Sequence, residues 1–372
     1  MAKILYIGRF ELPDKEATAN RVVANAKLLR ELGHEVILAG WSGDVSAHEG
    51  WKTVECYDFE SYEKHKAKTS YEKYCMFSDA APELALLKKR CPDVLIAYDF
   101  PAVALGKLMK YCKKHSIKCI CDVSEWYTNK NKNPLFRIVR AYDSYKRMCV
   151  FHKKADGLIV ISKYLHKYYS EQTTVLVPPL VDIYDTKWDI SASRDESVCR
   201  LAYVGWPSRT KERLDMVVDA VSTLSAELPV KLDIYGVSEA QYRDIYKTDN
   251  EKICDSITFY GRVPHLEALK AVKKADYSLV IRESNRKNDA GFPSKLVECI
   301  SCGTAVLTTN ISNVGDYVGN GKNGYIISID NLTDEIRQAV LNRKSIVVEK
   351  QLFDYRNFVE PVSSFLEYII ES

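Results

Sequence analysis

The chain has 372 residues, 46% of them apolar and 28% charged. That balance excludes a disordered protein, and the length exceeds what one ordinary core supports, so two domains are expected. No apolar run reaches the roughly 20 residues of a membrane span. The start, Met1 to Gly8, lacks the pattern of a secretory signal. The expected location is therefore the cytoplasm, with peripheral attachment to the inner face of the plasma membrane as a variant. The net charge is +3 but unevenly divided: residues 1–180 hold 29 Lys and Arg against 21 Asp and Glu, and the remainder holds 24 against 29. A basic first half points to an anionic partner or to a solvated basic surface. The 11 cysteines are odd in number and scattered, as expected of reduced thiols. Cys299 and Cys302 form a CxxC on a helical pattern without a second pair, and read as small buried residues rather than a zinc or redox site.

Strand-like runs alternate with helical patterns from end to end. The first half predicts strands at 4–7, 36–39, 54–57, 94–98, 118–122, 158–161 and 175–177, with helices at 18–32, 82–90, 102–115 and 135–154. Such alternation argues for a parallel sheet covered by helices on both faces. Residues 179–200, with proline and a Ser/Asp/Glu cluster, read as a linker. The same pattern restarts, with strands at 201–205, 231–235, 257–260, 277–281, 305–308 and 325–327. Helices are expected at 212–224, 239–246, 266–274, 294–302 and 332–341. An aromatic amphipathic stretch, 353–370, closes the chain. The fold class expected is α/β, with two Rossmann-like domains of similar size facing each other across a cleft. Residues 1–178 form the first domain, 201–350 the second, and 351–372 a terminal helical segment.

Several strand ends carry chemistry. Open α/β sheets bind ligands at the carboxyl ends of their strands. Tyr203-Val204-Gly205-Trp206-Pro207-Ser208-Arg209-Thr210-Lys211 is a strand, a glycine turn and a basic helix entry. Its cations could hold a diphosphate. After strand 277–281 come Arg282, a polar loop, Gly291-Phe292-Pro293-Ser294 and a short helix. Ser294 suits its N-cap and Gly303 its C′ position. A helix N-terminus so placed favours a phosphate. Glu298, one turn in, could accept hydrogen bonds from a sugar. His265 reads as a cap neighbour. In the first half, Asp122-Val123-Ser124-Glu125 ends a strand beside Trp126 and Tyr127, as either a sugar site or a capping box. Arg9, Asn20, Arg21 and Asp99 lie at other strand or helix ends. Helix 135–154 carries Arg137, Arg140, Lys146, Arg147, Lys153 and Lys154. It could lie on an anionic membrane or pack inward with a solvated face.

At these residues the chain resembles the family 4 glycosyltransferases, a retaining group with the GT-B arrangement. The second half is most similar to the bacterial branch that builds capsule, O-antigen and exopolysaccharide repeats. The resemblance is carried by Tyr203-Val204-Gly205 with Lys211, Ile234-Tyr235-Gly236-Val237, Gly261-Arg262-Val263-Pro264-His265, and Ala290-Gly291-Phe292-Pro293-Ser294-Lys295 through Glu298. It implies transfer of a sugar from a nucleotide diphosphate, UDP-sugar foremost, to a lipid-linked or saccharide acceptor. No metal, separate cofactor or nucleic acid is implied. Lys211 and Arg209 would stabilise the diphosphate, with Asp122 and Glu125 on the sugar or acceptor side. Gly205, Arg282, Gly291, Phe292, Pro293, Ser294, Lys295 and Glu298 would form the donor site, with the ribose on Glu298. Arg9, Asn20, Arg21 and Asp99 would face the acceptor, and the terminal helix would cross back to the first domain. Two positions depart from the common pattern: Ala290 stands where many relatives have glutamate, and Trp206 where many have arginine. Donor-sugar contacts then fall to Arg282, Asn285 or Asp289. A nucleotide-sugar epimerase and a non-catalytic binding partner are the alternatives.

Overall fold

A computed structural model describes residues 1–12, 16–41, 58–62, 69–127, 133–209, 211–247, 253–343 and 346–372. The expected strand at 54–57 lies outside them. The chain divides into two compact units, Met1–Val181 with Asp354–Ser372, and Asp182–Phe353.

The first unit begins with β1 (Lys3–Glu11), α1 (Glu16–Glu31), β2 (Glu35–Trp41), β3 (Asp58–Tyr62), α2 (Ser70–Ser78) and α3 (Ala81–Arg90). It continues through β4 (Val94–Tyr98), α4 (Ala102–Lys114), β5 (Lys118–Val123), α5 (Pro134–Tyr145), β6 (Gly157–Val160), α6 (Lys163–Tyr168) and β7 (Thr174–Leu176). The second unit holds β8 (Cys199–Val204), α7 (Leu214–Leu224), β9 (Val230–Tyr235), α8 (Glu239–Tyr246), β10 (Ile257–Gly261) and α9 (His265–Lys274). It ends with β11 (Tyr277–Val280), α10 (Arg286–Ala290), α11 (Ser294–Ser301), β12 (Ala305–Thr308), β13 (Gly324–Ile326) and α12 (Leu332–Leu341), before α13 (Val359–Glu371) returns to the first unit.

Among the described residues, the first sheet is seven-stranded in the order β3-β2-β1-β4-β5-β6-β7, and the second six-stranded in the order β10-β9-β8-β11-β12-β13. All pairs are parallel, with Ile4 opposite Val36 on one side and Val94 on the other. The central strands are continuous apolar runs, buried along their length, because helices cover both faces. α4 turns Ala104, Leu105, Leu108 and Cys112 inward at helical spacing. α13 packs Phe365, Leu366 and Ile369 into the core of the first unit. Gly157 opens β6 because a Cβ there would meet Ile369 Cδ1 at 2.2 Å.

Three expectations needed correction. α2, α6 and α10 are helices that the apolar pattern did not announce; α10 is five residues long, capped by Asn285. The expected helix 135–154 is helical throughout but changes its hydrogen-bond register. α5 ends at Tyr145, a π-helical turn spans Lys146–Phe151, and a 3-10 turn spans His152–Lys154. Arg147 on that turn does not belong to a solvated basic face. It is 1% exposed and bridges Asp99 at 2.8 Å and Asp143 at 2.9 Å. Finally, Ser294 is not a cap: Pro293, in extended conformation, holds the N-cap position and Ser294 is the first helical residue. Gly303 does sit just past the end of α11, with φ of 73°.

A buried ion pair ties the first unit together. Arg21 on α1 donates to both carboxylate oxygens of Asp122 at the end of β5, and to the carbonyls of Val177 and Pro178. The Tyr6 hydroxyl on β1 donates to the same carboxylate, and Asn25 donates to Tyr6 at 3.2 Å. Both charges are removed from water, so losing one partner strands the other. Asp122→Ala is expected to cost about 3–5 kcal/mol, read as an earlier midpoint in urea unfolding followed by circular dichroism.

Candidate functional site

The carboxyl ends of the second sheet show the most worked-out chemistry. β8 and β9 leave through Gly205 and Gly236, with φ of 122° and 100°, a left-handed region that disfavours other residues. Both glycines also permit close approach. A Cβ on Gly205 would lie 2.6 Å from Lys295 Cε, and one on Gly236 would lie 2.7 Å from the Gly205 backbone. Lys295, in the first turn of α11, therefore reaches over the end of β8.

Glu212 is what holds Lys295 there. This carboxylate is 3% exposed as a residue. Its Oε1 takes Arg282 Nη2 at 2.8 Å and Lys295 Nζ at 3.1 Å, and its Oε2 takes the Tyr203 hydroxyl at 2.7 Å. Lys295 also donates to the Tyr203 oxygen at 2.9 Å and lies 4.1 Å over its ring. Burial alone would raise the Glu212 pKa, but Lys295 and Arg282 outweigh it and hold it at about 2. Burial lowers the Lys295 ammonium to about 8 despite the attraction of Glu212. Sequence reasoning missed Glu212, although a signal exists: it is the lone acid in a turn that otherwise carries Arg209, Lys211 and Arg213.

The basic turn and the loop after β11 are docked. The Arg213 amide donates to the Ile281 carbonyl at 3.0 Å, and Arg213 pairs with Glu283. Asn288 Nδ2 reaches the carbonyls of Glu283 at 2.8 Å and Lys211 at 3.5 Å. Thus Gly205, the turn of Arg209 and Lys211, Arg282 and the first turn of α11 share one neighbourhood. Arg209 and Lys211 are exposed there. Arg282 is not; it is buried against Glu212 and reaches the site only through that carboxylate. α11 starts without a side-chain cap, and the first amides of a helix have no intrahelical acceptor. Glu298 is 28% exposed one turn on, and its Oε1 lies 3.2 Å from His265 Nε2. His265 thus belongs to this neighbourhood, beyond its place at the start of α9.

The other expected donor-side residues are packed close to the start of α11 or held by their own neighbours. Phe292 is core, edge-on to Tyr317 and Phe353, and Pro293 is buried beside it. Gly291 closes α10. Of the donor-sugar candidates, Asn285 caps α10, and Asp289 accepts from Ser284 Oγ and the Ser312 amide. Ala290 is fully buried, while Trp206 is 59% exposed beside Gly205.

In the first unit, Asp122 and Arg21 are committed to each other, and Glu125 is exposed. Asn20 is half-buried on α1. Asp99 has a left-handed backbone, φ of 54°, and a side chain 33% exposed that Arg147 orients. Arg9 stacks 3.6 Å from the Phe77 ring centre, and burial lowers its pKa to about 9, with Asp99 opposing.

Residues 200–350 match the family described as "Glycosyl transferases group 1", a range that falls within the second unit. No curated protein matches the sequence. Solved structures match along the whole chain. The catalytic domain of starch synthase IV from Arabidopsis thaliana, bound to ADP and acarbose, has a TM-score of 0.71 at 10% identity and covers 100% of both chains. Sucrose-phosphate synthase from Thermosynechococcus elongatus has a TM-score of 0.64 at 15% identity, covering 100% of this chain and 96% of that one. Anabaena Alr3699/HepE in complex with UDP-glucose has a TM-score of 0.65 at 13% identity, covering 99% and 100%. At these identities the likeness is one of fold, and that fold is GT-B, two α/β domains in one chain.

The Glu212 cluster makes the second unit acid-sensitive. A carboxylate whose folded pKa lies below its unfolded value of about 4.3 stabilises fully above that value and loses the contribution as pH falls toward the folded pKa. For Glu212 the window runs from about pH 5 down to about pH 2. Glu212→Gln is expected to flatten the fall in urea midpoint across that window, by on the order of 3 kcal/mol. An unchanged slope in the variant would show that other carboxylates set it.

Proposed function

We propose that the protein is a retaining, metal-independent glycosyltransferase. It moves a sugar from a nucleotide diphosphate, UDP in the first instance, to a lipid-linked or saccharide acceptor in polysaccharide synthesis. The observation that carries this reading is that Lys211 and Glu212 are docked against the loop and α10 that follow β11, while Glu212 holds Lys295, in the first turn of α11, beside the same basic turn. The family match over the same residues supports it.

When the bond from the anomeric carbon to the diphosphate breaks, negative charge grows on the leaving oxygens. Lys211, Arg209, Lys295 and the first amides of α11 are the groups suited to stabilise it. Their summed positive charge does the work a metal ion does elsewhere. Glu298 suits the ribose hydroxyls, with His265 holding its carboxylate in place. Trp206 replaces an arginine by an exposed aromatic surface, so Lys295 takes over as the cation nearest Gly205. With no enzyme nucleophile assigned, the leaving phosphate is the base that accepts the acceptor's hydroxyl proton. On the acceptor side, Asp122 acts by positioning, and Glu125 and Asp99 are the accessible carboxylates.

Lys211→Ala is expected to weaken nucleoside diphosphate binding and lower turnover roughly ten- to a hundredfold, the loss of one charge-assisted hydrogen bond worth about 1.5–3 kcal/mol. Calorimetry with UDP checks it, and wild-type affinity would remove the diphosphate assignment. Analysis of products separates a transferred sugar from an epimerised donor.

Transfer is also expected to proceed in excess chelator. Activity that vanished and returned with magnesium or manganese would refute charge stabilisation by the protein alone.

A further inference from the structure

α5 presents the solvent with the wrong face. Its inward side carries Phe136 and Asp143, packed against Tyr71, Tyr74 and Arg147. Its outward side carries Leu135, Ile138, Tyr142 and Tyr145, 75%, 68%, 63% and 58% exposed. Their spacing of three, four and three residues makes a single stripe along the helix. Exposed apolar residues are ordinary when scattered, but a contiguous stripe on one element marks a contact surface.

The charges around the stripe say what covers it. Arg137 is exposed, Arg140 lies 6.0 Å from the centre of the Tyr74 ring, and Lys146 lies 5.6 Å from that of Tyr142. The single acid of α5, Asp143, is buried and paired with Arg147. The outer side of α5 is thus apolar and positive, and the helix itself presents no carboxylate to repel an anion. A second copy of this chain would bring like charges together across a symmetric contact. An anionic lipid surface meets both features at once: aliphatic side chains enter the acyl boundary, while tyrosines and basic residues sit at headgroup level.

We infer that α5 seats the first unit on an anionic membrane surface, inserting Leu135 and Ile138 with Tyr142 and Tyr145 at the interface. The inference deepens the proposed function, in that a lipid-linked acceptor is met at such a surface, but its evidence is separate from the donor site. It also differs from attachment by charge alone. Arg147 takes no part, being buried, and the apolar stripe provides the larger share.

The test is sedimentation of the full chain with vesicles of phosphatidylglycerol and phosphatidylcholine, without nucleotide, beside vesicles of phosphatidylcholine alone. Wild type is expected to sediment with the anionic vesicles and much less with the neutral ones. The triple variant Leu135→Ser, Ile138→Ser, Tyr142→Ser is expected to lower the bound fraction at least tenfold, with UDP affinity and melting temperature unchanged. Arg137→Glu is expected to weaken binding at low salt. Equal sedimentation of wild type and triple variant, no sedimentation of wild type, or a dimer in light scattering that the triple variant dissolves would each overturn the inference. Should the triple variant fold poorly, Ile138→Trp serves instead. Its added fluorescence is expected to shift to the blue on anionic vesicles, and an unshifted spectrum at saturating lipid counts against insertion. Loss of UDP affinity in Lys211→Ala leaves these outcomes untouched, so the two readings fail separately.

Discussion

A charged carboxylate inside a protein must be neutralised where it stands, and Glu212 imposes that demand on the second unit. Its two oxygens are occupied by Arg282, Lys295 and Tyr203. Those partners come from the loop after β11, the first turn of α11 and the end of β8. One buried charge therefore draws together three segments that are far apart in sequence. The glycines at the ends of β8 and β9 are part of the same arrangement, because a side chain at Gly205 would occupy the path of Lys295. Removing Glu212 would leave two cations facing each other with nothing between them.

The first unit uses the same device for a different end. Asp122 stands at the end of β5 as Glu212 stands beyond β8, and Arg21 neutralises it. There the pair is sealed by Tyr6, Asn25 and two backbone carbonyls, and nothing is left exposed. It secures the chain at Val177 and Pro178, shortly before the unit ends at Val181. In the same unit Arg147 pairs with Asp99, whose backbone is left-handed and whose carboxylate is partly in solvent. Of the two carboxylates at neighbouring strand ends, one is consumed by stability and the other is presented. The difference lies in how many partners each one has.

α5 joins this carboxylate network to the molecule's outer surface. Arg147 enters the interior from the π-helical turn that follows α5, and Asp143 meets it one helical turn earlier. With its one acid drawn inward, the helix presents arginine and apolar side chains outward.

Much of the fold was legible in the sequence. β4, α8, β12 and α12 fall where the apolar pattern put them, because long runs of one periodicity are decided locally. The short α10 was not legible, since a single capped turn has no periodicity to read. That the glycine turn with its cations and the helix start after β11 lie close together was legible, because both follow the carboxyl ends of strands in one sheet. Their individual duties were not. Phe292 proved to be core, Arg282 a buried partner, and Glu212 the centre of the cluster. Charge pairing between residues 70 or more positions apart has no trace in local spacing, so only the tertiary structure decides it. The same holds for helix 135–154. Its sequence shows that basic and apolar residues share the element, but which of them meet water depends on what Asp99 and Asp143 demand of Arg147.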